Sequence, residues 1–572
     1  MRISANNIIW FLAAAFIFLL FFTPVETEDI WWHLSIGRWI VQHAQVPHID
    51  PFPFAQERIA WFGHNEWLGS VSLFAVFKSG GLIALKIFRS MWFVLLCGLA
   101  AVYAWRRLPF ALSCGMCIIM ALGLFDRRLL RPDLFNLLFI EVFLITLFAY
   151  TSSKDVKYLA LLPLAGIVWF NIHMGAFVYG GLLLGIFATA ALLQSDLRSF
   201  RHLAWTLLAL IAGFVLTPYG IDGMLFPFKV FLVPGFIDFY KISARLYENS
   251  SPAHIFMSWH YWHLAVLFFA AVAAIIRNKK ESLVFILLLG IATFLFLMAQ
   301  RNQGLFVLVA VFAIIRGFAG VAISDLWSKI LSGGILCFLI LKIWGLTHDY
   351  VYYSGQAHNF LTVNRNYHSH AAVELLNKNG IKGNIFNIDV MGGELLWSYP
   401  DLKPFVDGRF TDKERFNNFR AILESPETVW PKAEVDYKFD AALLNAGDKG
   451  YWGLIRHLNG RDDWQLIGIH GPIAVFVRKG TELPAELRQF RQNLADIPLR
   501  KEDVEQLKSA TAAPGVHGKE INRIDHIPSA WTLMVLGYPG AALQSMQKAL
   551  NVSDRDYVRQ EASDLVKYLE RI

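Results

Sequence analysis

Between Met1 and about Trp344 the chain is a succession of apolar runs, and from about Gly345 to Ile572 it reads as ordinary globular protein. Backbone groups inside a bilayer find no water to bond, so a crossing segment closes its hydrogen bonds within a helix of about 20 apolar residues. About eleven such segments can be placed, near residues 8–23, 81–105, 109–125, 133–151, 158–172, 176–194, 203–218, 260–276, 282–299, 303–320 and 329–346. The composition agrees: 55% of residues are hydrophobic and 17% charged, against about 25% charged in soluble domains. The expected architecture is a polytopic α-helical membrane protein followed by a soluble part.

The basic residues orient it. With the N-terminus in the cytoplasm, the inside connections carry Arg106 and Arg107, Lys154 and Lys157, Arg198 and Arg201, then Arg277, Lys279 and Lys280, then Arg316 and Lys329. This is the positive-inside pattern throughout. An odd number of spans then places the C-terminal domain on the exoplasmic side, the periplasm if the chain sits in a bacterial inner membrane. The first run follows a single Arg2 and lacks a clear small-x-small cleavage site before Thr23–Pro24, so it reads as a span rather than a signal peptide. The net charge of +7 does not indicate nucleic acid, because the basic residues sit at the ends of apolar runs. All four cysteines lie in apolar runs, and Cys114 and Cys117 read as packing residues rather than a redox or metal pair.

One outer connection breaks the charge rule. The turn Phe125–Asp133 carries Arg127, Arg128 and Arg131. Either these arginines touch lipid head groups or they form an anion site, since the guanidinium fork matches phosphate. The long first outer loop, residues 24–80, is the other unusual feature. It contains two amphipathic surface-helix candidates, Ile30–His43 and Asn65–Lys78, whose tryptophans suit a bilayer interface. It also carries Glu28, Asp29, Asp50, His64 and Glu66. Carboxylates gathered above an apolar bundle have their pKa raised by burial, which suits them to proton abstraction.

The order Glu28-Asp29-Ile-Trp-Trp-His, Pro47-x-x-Asp50-Pro-Phe and His64-x-Glu66-Trp67-Leu68 resembles bacterial membrane proteins related to the GT-C glycosyltransferases. So do Arg131-Pro132, Asn171-x-His173-x-Gly175, Thr217-Pro218-Tyr219-Gly220, Arg301-Asn302, Gly392-Gly393-Glu-Leu-Leu-Trp397 and Asp407-Gly408-Arg409. The resemblance implies a GT-C-like bundle with an acidic residue in the first outer loop beside two surface helices. It also implies a polyprenyl-phosphate-type sugar donor and action on the exoplasmic face. Asp29 matches the acidic position. The pair here is Glu28-Asp29 rather than Asp-x-Asp, so a divalent cation is an option the motif does not demand.

Transfer from a lipid phosphate needs a base for the acceptor hydroxyl, cations for the departing phosphate and a groove for the lipid tail. Asp29 is the candidate base, with Glu66 or Asp50 as second carboxylate and Glu28 beside them. Arg127, Arg128, Arg131 and Arg301 are candidate phosphate holders, and His64 and His173 candidate substrate contacts. Arg301 is notable because a cation near hydrocarbon is costly unless paired. Asp29, Glu66, His173 and Arg301 are expected to converge on one outer cavity, polar above and with an apolar slot to the lipid. Glu141, within a span, reads equally as a functional acid or an interhelical hydrogen bond.

Residues 347–480 are expected to form an exoplasmic α/β domain, with helices at His370–Asn379 and Gly393–Tyr399. Its strands are expected at Asn384–Ile388, Pro404–Val406, Ala441–Leu444, Gln465–Ile469 and Ile473–Val477. Asp407-Gly408-Arg409 reads as a turn held by an Asp–Arg pair, or as a ligand site after a strand. Residues 481–572 read as a helical tail with one tetratricopeptide-like helix pair, suited to docking a protein partner. The leading function is a glycosyltransferase acting on a glycan, lipid or protein acceptor among membrane lipids. Its rivals are a non-catalytic scaffold for envelope glycan assembly or protein export and, last, a transporter, for which Glu141 is the one strong midplane acid.

Overall fold

The computed structural model describes residues 4–25, 27–52, 54, 66–225, 262–279, 281–347, 352–353, 356–357, 367–409, 413–512, 526–552 and 556–570. The apolar runs are helices: α1 Ala5–Phe21, α3 Trp67–Trp105, α4 Phe110–Gly123, α5 Leu134–Ser153, α6 Lys157–Ile172, α7 Gly175–Leu193 and α8 Leu197–Phe214. Further helices follow at Trp262–Arg277, Ser282–Met298, Gln303–Gly317 and Asp325–Thr347. Among the described residues four helices, α3, α5, α7 and Asp325–Thr347, are long and apolar enough to cross a membrane, and five more apolar helices are shorter. The number of crossings therefore rests on the sequence pattern.

The bundle is built around helix Gln303–Gly317, in which every residue from Leu305 to Ile315 is at most 5% exposed. The outer wall is apolar too. Phe11, Trp205, Leu164, Phe269, Phe294 and Leu341 are all more than half exposed, a surface that water penalises and lipid accepts. At the end away from the soluble domain, Arg316 pairs with Glu281 and donates to Tyr103 Oη at 2.7 Å, and Lys154 pairs with Asp196 at 2.8 Å. Arg316 and Lys154, two of the basic residues used for orientation, thus lie at one end.

Helix α2, Asp29–His43, and the first half of α3 are the two surface helices. Helix α3 breaks at Gly80 and Gly81; Gly81 has φ +65°, a conformation glycine adopts without the steric cost of a Cβ. The break lets an amphipathic segment turn into a crossing one. Helices α2 and α3 touch through Gly37, where a Cβ would lie 2.4 Å from the Ser70 carbonyl oxygen.

The soluble domain holds a five-stranded mixed sheet, ordered β4-β3-β5-β7-β6. Its strands are β3 Gly383–Phe386, β4 Leu402–Pro404, β5 Phe439–Asn445, β6 Trp464–His470 and β7 Ile473–Arg478; β1 Tyr352–Tyr353 and β2 Gln356–Ala357 pair separately. Strands β4, β3 and β5 are parallel, and β7 and β6 complete an antiparallel half. Helices Lys413–Glu424, Pro426–Tyr437 and Trp452–Gly460 add to the expected set. Trp430 anchors them, fully buried and stacked 5.2 Å from Phe439. Helices His526–Leu536 and Pro539–Val552 form a hairpin about Gly537, and Leu536 enters the core of the α/β domain. The tail is therefore packed on the domain it follows.

Gly37→Val should force α2 and α3 apart and cost about 1–3 kcal/mol. Thermal unfolding in detergent should show a lower midpoint for this variant. Gly98→Ala, with open space around its Cβ, should show no fall.

Candidate active site

The site is built where α2 begins. Thr27 Oγ1 accepts the backbone N–H of Asp29 at 3.3 Å and the Arg131 Nε–H at 3.2 Å. Asp29 Oδ2 lies 2.7 Å from Arg131, and both side chains are about a quarter exposed, at 24% and 30%. Asp29 is therefore an ion-paired carboxylate, open on one side and at the positive end of a helix dipole.

Beside it Glu66, at the start of α3, sits between two histidines. Its Oε1 is 3.2 Å from His173 Nε2, and its Oε2 is 3.8 Å from His33 Nε2. The tautomer of His173 follows from its neighbours. Its Nδ1 accepts the backbone N–H of Gly175 at 2.8 Å, and Asn136 Nδ2 lies 3.1 Å away. Asn136 is oriented by Trp169 Nε1, which donates to its Oδ1 at 2.7 Å. The proton of neutral His173 is then on Nε2, facing Glu66.

Burial, reinforced by Asp133 and Asp29 and opposed by Arg131 and Arg301, pushes the Glu66 carboxyl up to about 8. Burial pushes the His173 imidazole down to about 4, helped by Arg301 and Arg127 and opposed by Asp133. Asp133 goes the other way: burial raises it, but Arg127, His173, Arg131 and Arg301 together hold it below its usual value. At neutral pH the cluster thus contains ionised Asp133 and a neutral Glu66–His173 pair. Arg301 is exposed at the same end of the bundle, and its field reaches Glu66, Asp133, His173 and Tyr179.

The structure brings Asp29, Glu66, His173, Arg131 and Arg301 to one end of the bundle, beside the soluble domain. It corrects other candidates. Asp50 is 2% exposed and accepts from Arg409 at 2.7 Å, so this buried carboxylate joins the soluble domain to the loop and is not the second acid of the site. Glu28 turns to the soluble domain, where burial, then Glu394, then Asp29 raise its carboxyl well above the usual range. Arg127 is paired with Asp133. Arg128 donates to the Phe125 carbonyl at 3.2 Å and lies over the Phe125 ring. Both are buried, so neither meets bulk head groups. Neither oxygen of Glu141 is hydrogen-bonded, so this fully buried acid makes no interhelical hydrogen bond. Cys114 and Cys117 are packed in the bundle. His64 lies outside the described residues.

Sequence reasoning did not mark His33, Asp133 or Asn136 as site residues, and it took Gly408 only within the Asp407-Gly408-Arg409 turn. His33 could have been found, since it stands four residues after Asp29 and shares its helix face. A Cβ on Gly408 would lie 2.7 Å from Asp29 Oδ1, a contact no local pattern reveals. Among the described residues no three His, Cys, Asp or Glu side chains are arranged to hold a metal ion.

No protein-family profile matches the chain, and no curated protein matches it in sequence. Its fold is shared with solved structures. The oligosaccharyltransferase of Archaeoglobus fulgidus, in complex with Zn and sulfate, aligns with 96% of this chain and 86% of its own, at 12% identity and a TM-score of 0.55. The archaeal oligosaccharyltransferase AglB from the same organism, in complex with an inhibitory peptide and a dolichol-phosphate, aligns over the same shares at 11% identity and a TM-score of 0.53. At these identities the likeness is one of fold. The chain shares the fold of these oligosaccharyltransferases, and among its described residues four helices are long and apolar enough to cross a membrane.

The Glu66 pKa has a consequence for stability. Its folded value, about 8, exceeds its ordinary 4.5, so between those values the folded state binds a proton that the unfolded chain has released. Stability contributed by protonated Glu66 therefore falls as pH rises across that window and levels off above it. Glu66→Gln should flatten the decline in unfolding midpoint between about pH 5 and 8. Parallel declines in the two proteins would contradict the assignment.

Proposed function

We propose that this protein is a membrane glycosyltransferase that moves a sugar from a polyprenyl-phosphate-type donor to an acceptor on the exoplasmic face. The observation that carries this reading is the meeting of Asp29, Arg131, Glu66 and His173, from four separate segments, at the end of a GT-C bundle that faces its soluble domain. The orientation follows from basic residues at the opposite end, Arg316 and Lys154 among them.

In this reading the acceptor hydroxyl gives its proton to Asp29 as its oxygen bonds to the anomeric carbon. The bond from that carbon to the phosphate oxygen breaks, and the phosphate leaves with the electron pair. A single displacement of this kind inverts the anomeric centre. In this reading the cationic side chains of Arg131 and Arg301 stabilise the developing negative charge on the phosphate. The protonated Glu66 fits the same scheme. A neutral Glu66, with neutral His173 3.2 Å away, adds no further negative charge beside the departing phosphate. No step is routed through a metal ion.

Asp29→Asn keeps the shape of the side chain and removes its basicity. In proteoliposomes supplied with polyprenyl-phosphate sugars, turnover should fall about a thousandfold while the unfolding midpoint stays close to that of the parent. A wild-type protein that neither binds nor consumes any donor in a broad panel would overturn the proposal. So would an Asp29→Asn variant with unchanged turnover.

A further inference from the structure

The parallel strands β4, β3 and β5 end in segments that carry Asp407, Asp389 and Asp448 respectively. In open α/β sheets, ligands bind beyond the carboxyl ends of the strands. Here that edge meets the membrane bundle. Besides its 2.7 Å approach to Asp29 Oδ1, a Cβ on Gly408 would come 3.9 Å from Trp32 Nε1. Asp389, from the next strand, lies within electrostatic reach of Asp29.

The turn holding Gly408 is fixed from both sides. Arg409, 1% exposed, donates to Asp407 through Nε at 2.8 Å and to Asp50 through Nη1 at 2.7 Å. Asp50 belongs to the loop that also carries Asp29. Next to it, Phe54 is 2% exposed and inserts among Phe405, Tyr437 and Phe439 of the soluble domain. On the other flank Gly392 abuts Asp407, and a Cβ on Gly393 would lie 3.1 Å from the Glu28 carbonyl oxygen and 3.2 Å from the Trp32 backbone nitrogen. The Gly392-Gly393 and Asp407-Gly408-Arg409 motifs are therefore two parts of one joint over the start of α2.

We propose that Gly408 is a positioning residue for the Asp29 carboxylate, so that the soluble domain completes the active site. This rests on the glycosyltransferase reading above. The terminal torsion of an aspartate is broad and roughly two-fold, and Arg131 grips Oδ2 at 2.7 Å. The Gly408 backbone bounds Oδ1 from the other domain. The two contacts together fix the plane of the carboxylate and the direction from which Oδ1 can take the acceptor proton. Any side chain at position 408 turns that plane.

Gly408→Ala tests this in the full-length protein in proteoliposomes with a polyprenyl-phosphate sugar. Its kcat should fall about a hundredfold, with the donor KM within about twofold of wild type, because a misplacement near 1 Å is felt by the chemical step. Gly98→Ala, where an added Cβ meets nothing within 4 Å, should keep a near-wild-type kcat. Equal losses in both variants, or an unchanged kcat in Gly408→Ala, would overturn the proposal. A second readout needs no turnover. Carbodiimide-driven amide labelling of Asp29, followed by peptide mass spectrometry, should be slower in wild type than in Arg409→Gln, where the turn loses its anchor. Equal labelling rates would overturn it as well. A wild-type protein without transfer activity would sink the glycosyltransferase reading, while the labelling rates would still decide whether Gly408 covers Asp29.

Discussion

The arrangement depends on one buried cation. Arg409 lies between Asp407 of its own turn and Asp50 of the first loop, 359 residues away in sequence. A charge so deeply buried is costly unless its hydrogen bonds are met, and removing one partner of such a pair typically costs about 3–5 kcal/mol. Burial opposes the Arg409 charge, but Asp407 and Asp50 outweigh it and keep the guanidinium protonated. Arg415, whose field also reaches Asp50, lies over the Phe54 ring at 5.1 Å. Two arginines and two aspartates thus balance around the joint, and Phe54 supplies its apolar part. The joint sets the height of the soluble domain over α2 and hence the approach of Gly408 to Asp29.

Beneath that joint the site separates charge by environment. Asp29 is at a helix start, partly open and paired with Arg131. Glu66 is enclosed beside other acids, and burial favours its neutral form. His173 is kept neutral by the same enclosure, and its tautomer is set by Gly175 and Asn136. A neutral histidine facing Glu66 adds no charge near a phosphate.

Much of the fold was legible because its signals are long or periodic. Apolar runs marked the helices of the bundle, and short apolar stretches marked β3, β5, β6 and β7, whereas β4, Leu402–Pro404, shares only Pro404 with the expected Pro404–Val406. Helices Lys413–Glu424 and Pro426–Tyr437 escaped notice because both are rich in charge and the second contains an internal proline, Pro431. Their helicity comes from packing Phe416, Ile422 and Trp430 against the sheet. In the site, Asp29, Glu66, Arg131, His173 and Arg301 could be proposed from residue type and place along the topology. The partners that fix them could not. Asp50 looked like an acid of the site until its pairing with Arg409 was known, and the three outer arginines looked alike although each meets a different group. Long-range pairing is not written into local sequence, and pairing decides which charges stay available.

The central claim is that Asp29 works beside a bound lipid phosphate held by Arg301 and Arg131. The most direct measurement is a structure of the protein in lipid nanodiscs with a non-hydrolysable polyprenyl-phosphate sugar. The phosphate should lie against Arg301 on the side facing Arg131, with the anomeric carbon within one water of the Asp29 carboxylate. A phosphate that instead sits among the head groups on the outer wall of the bundle, with Asp29 remote from the sugar, would contradict it.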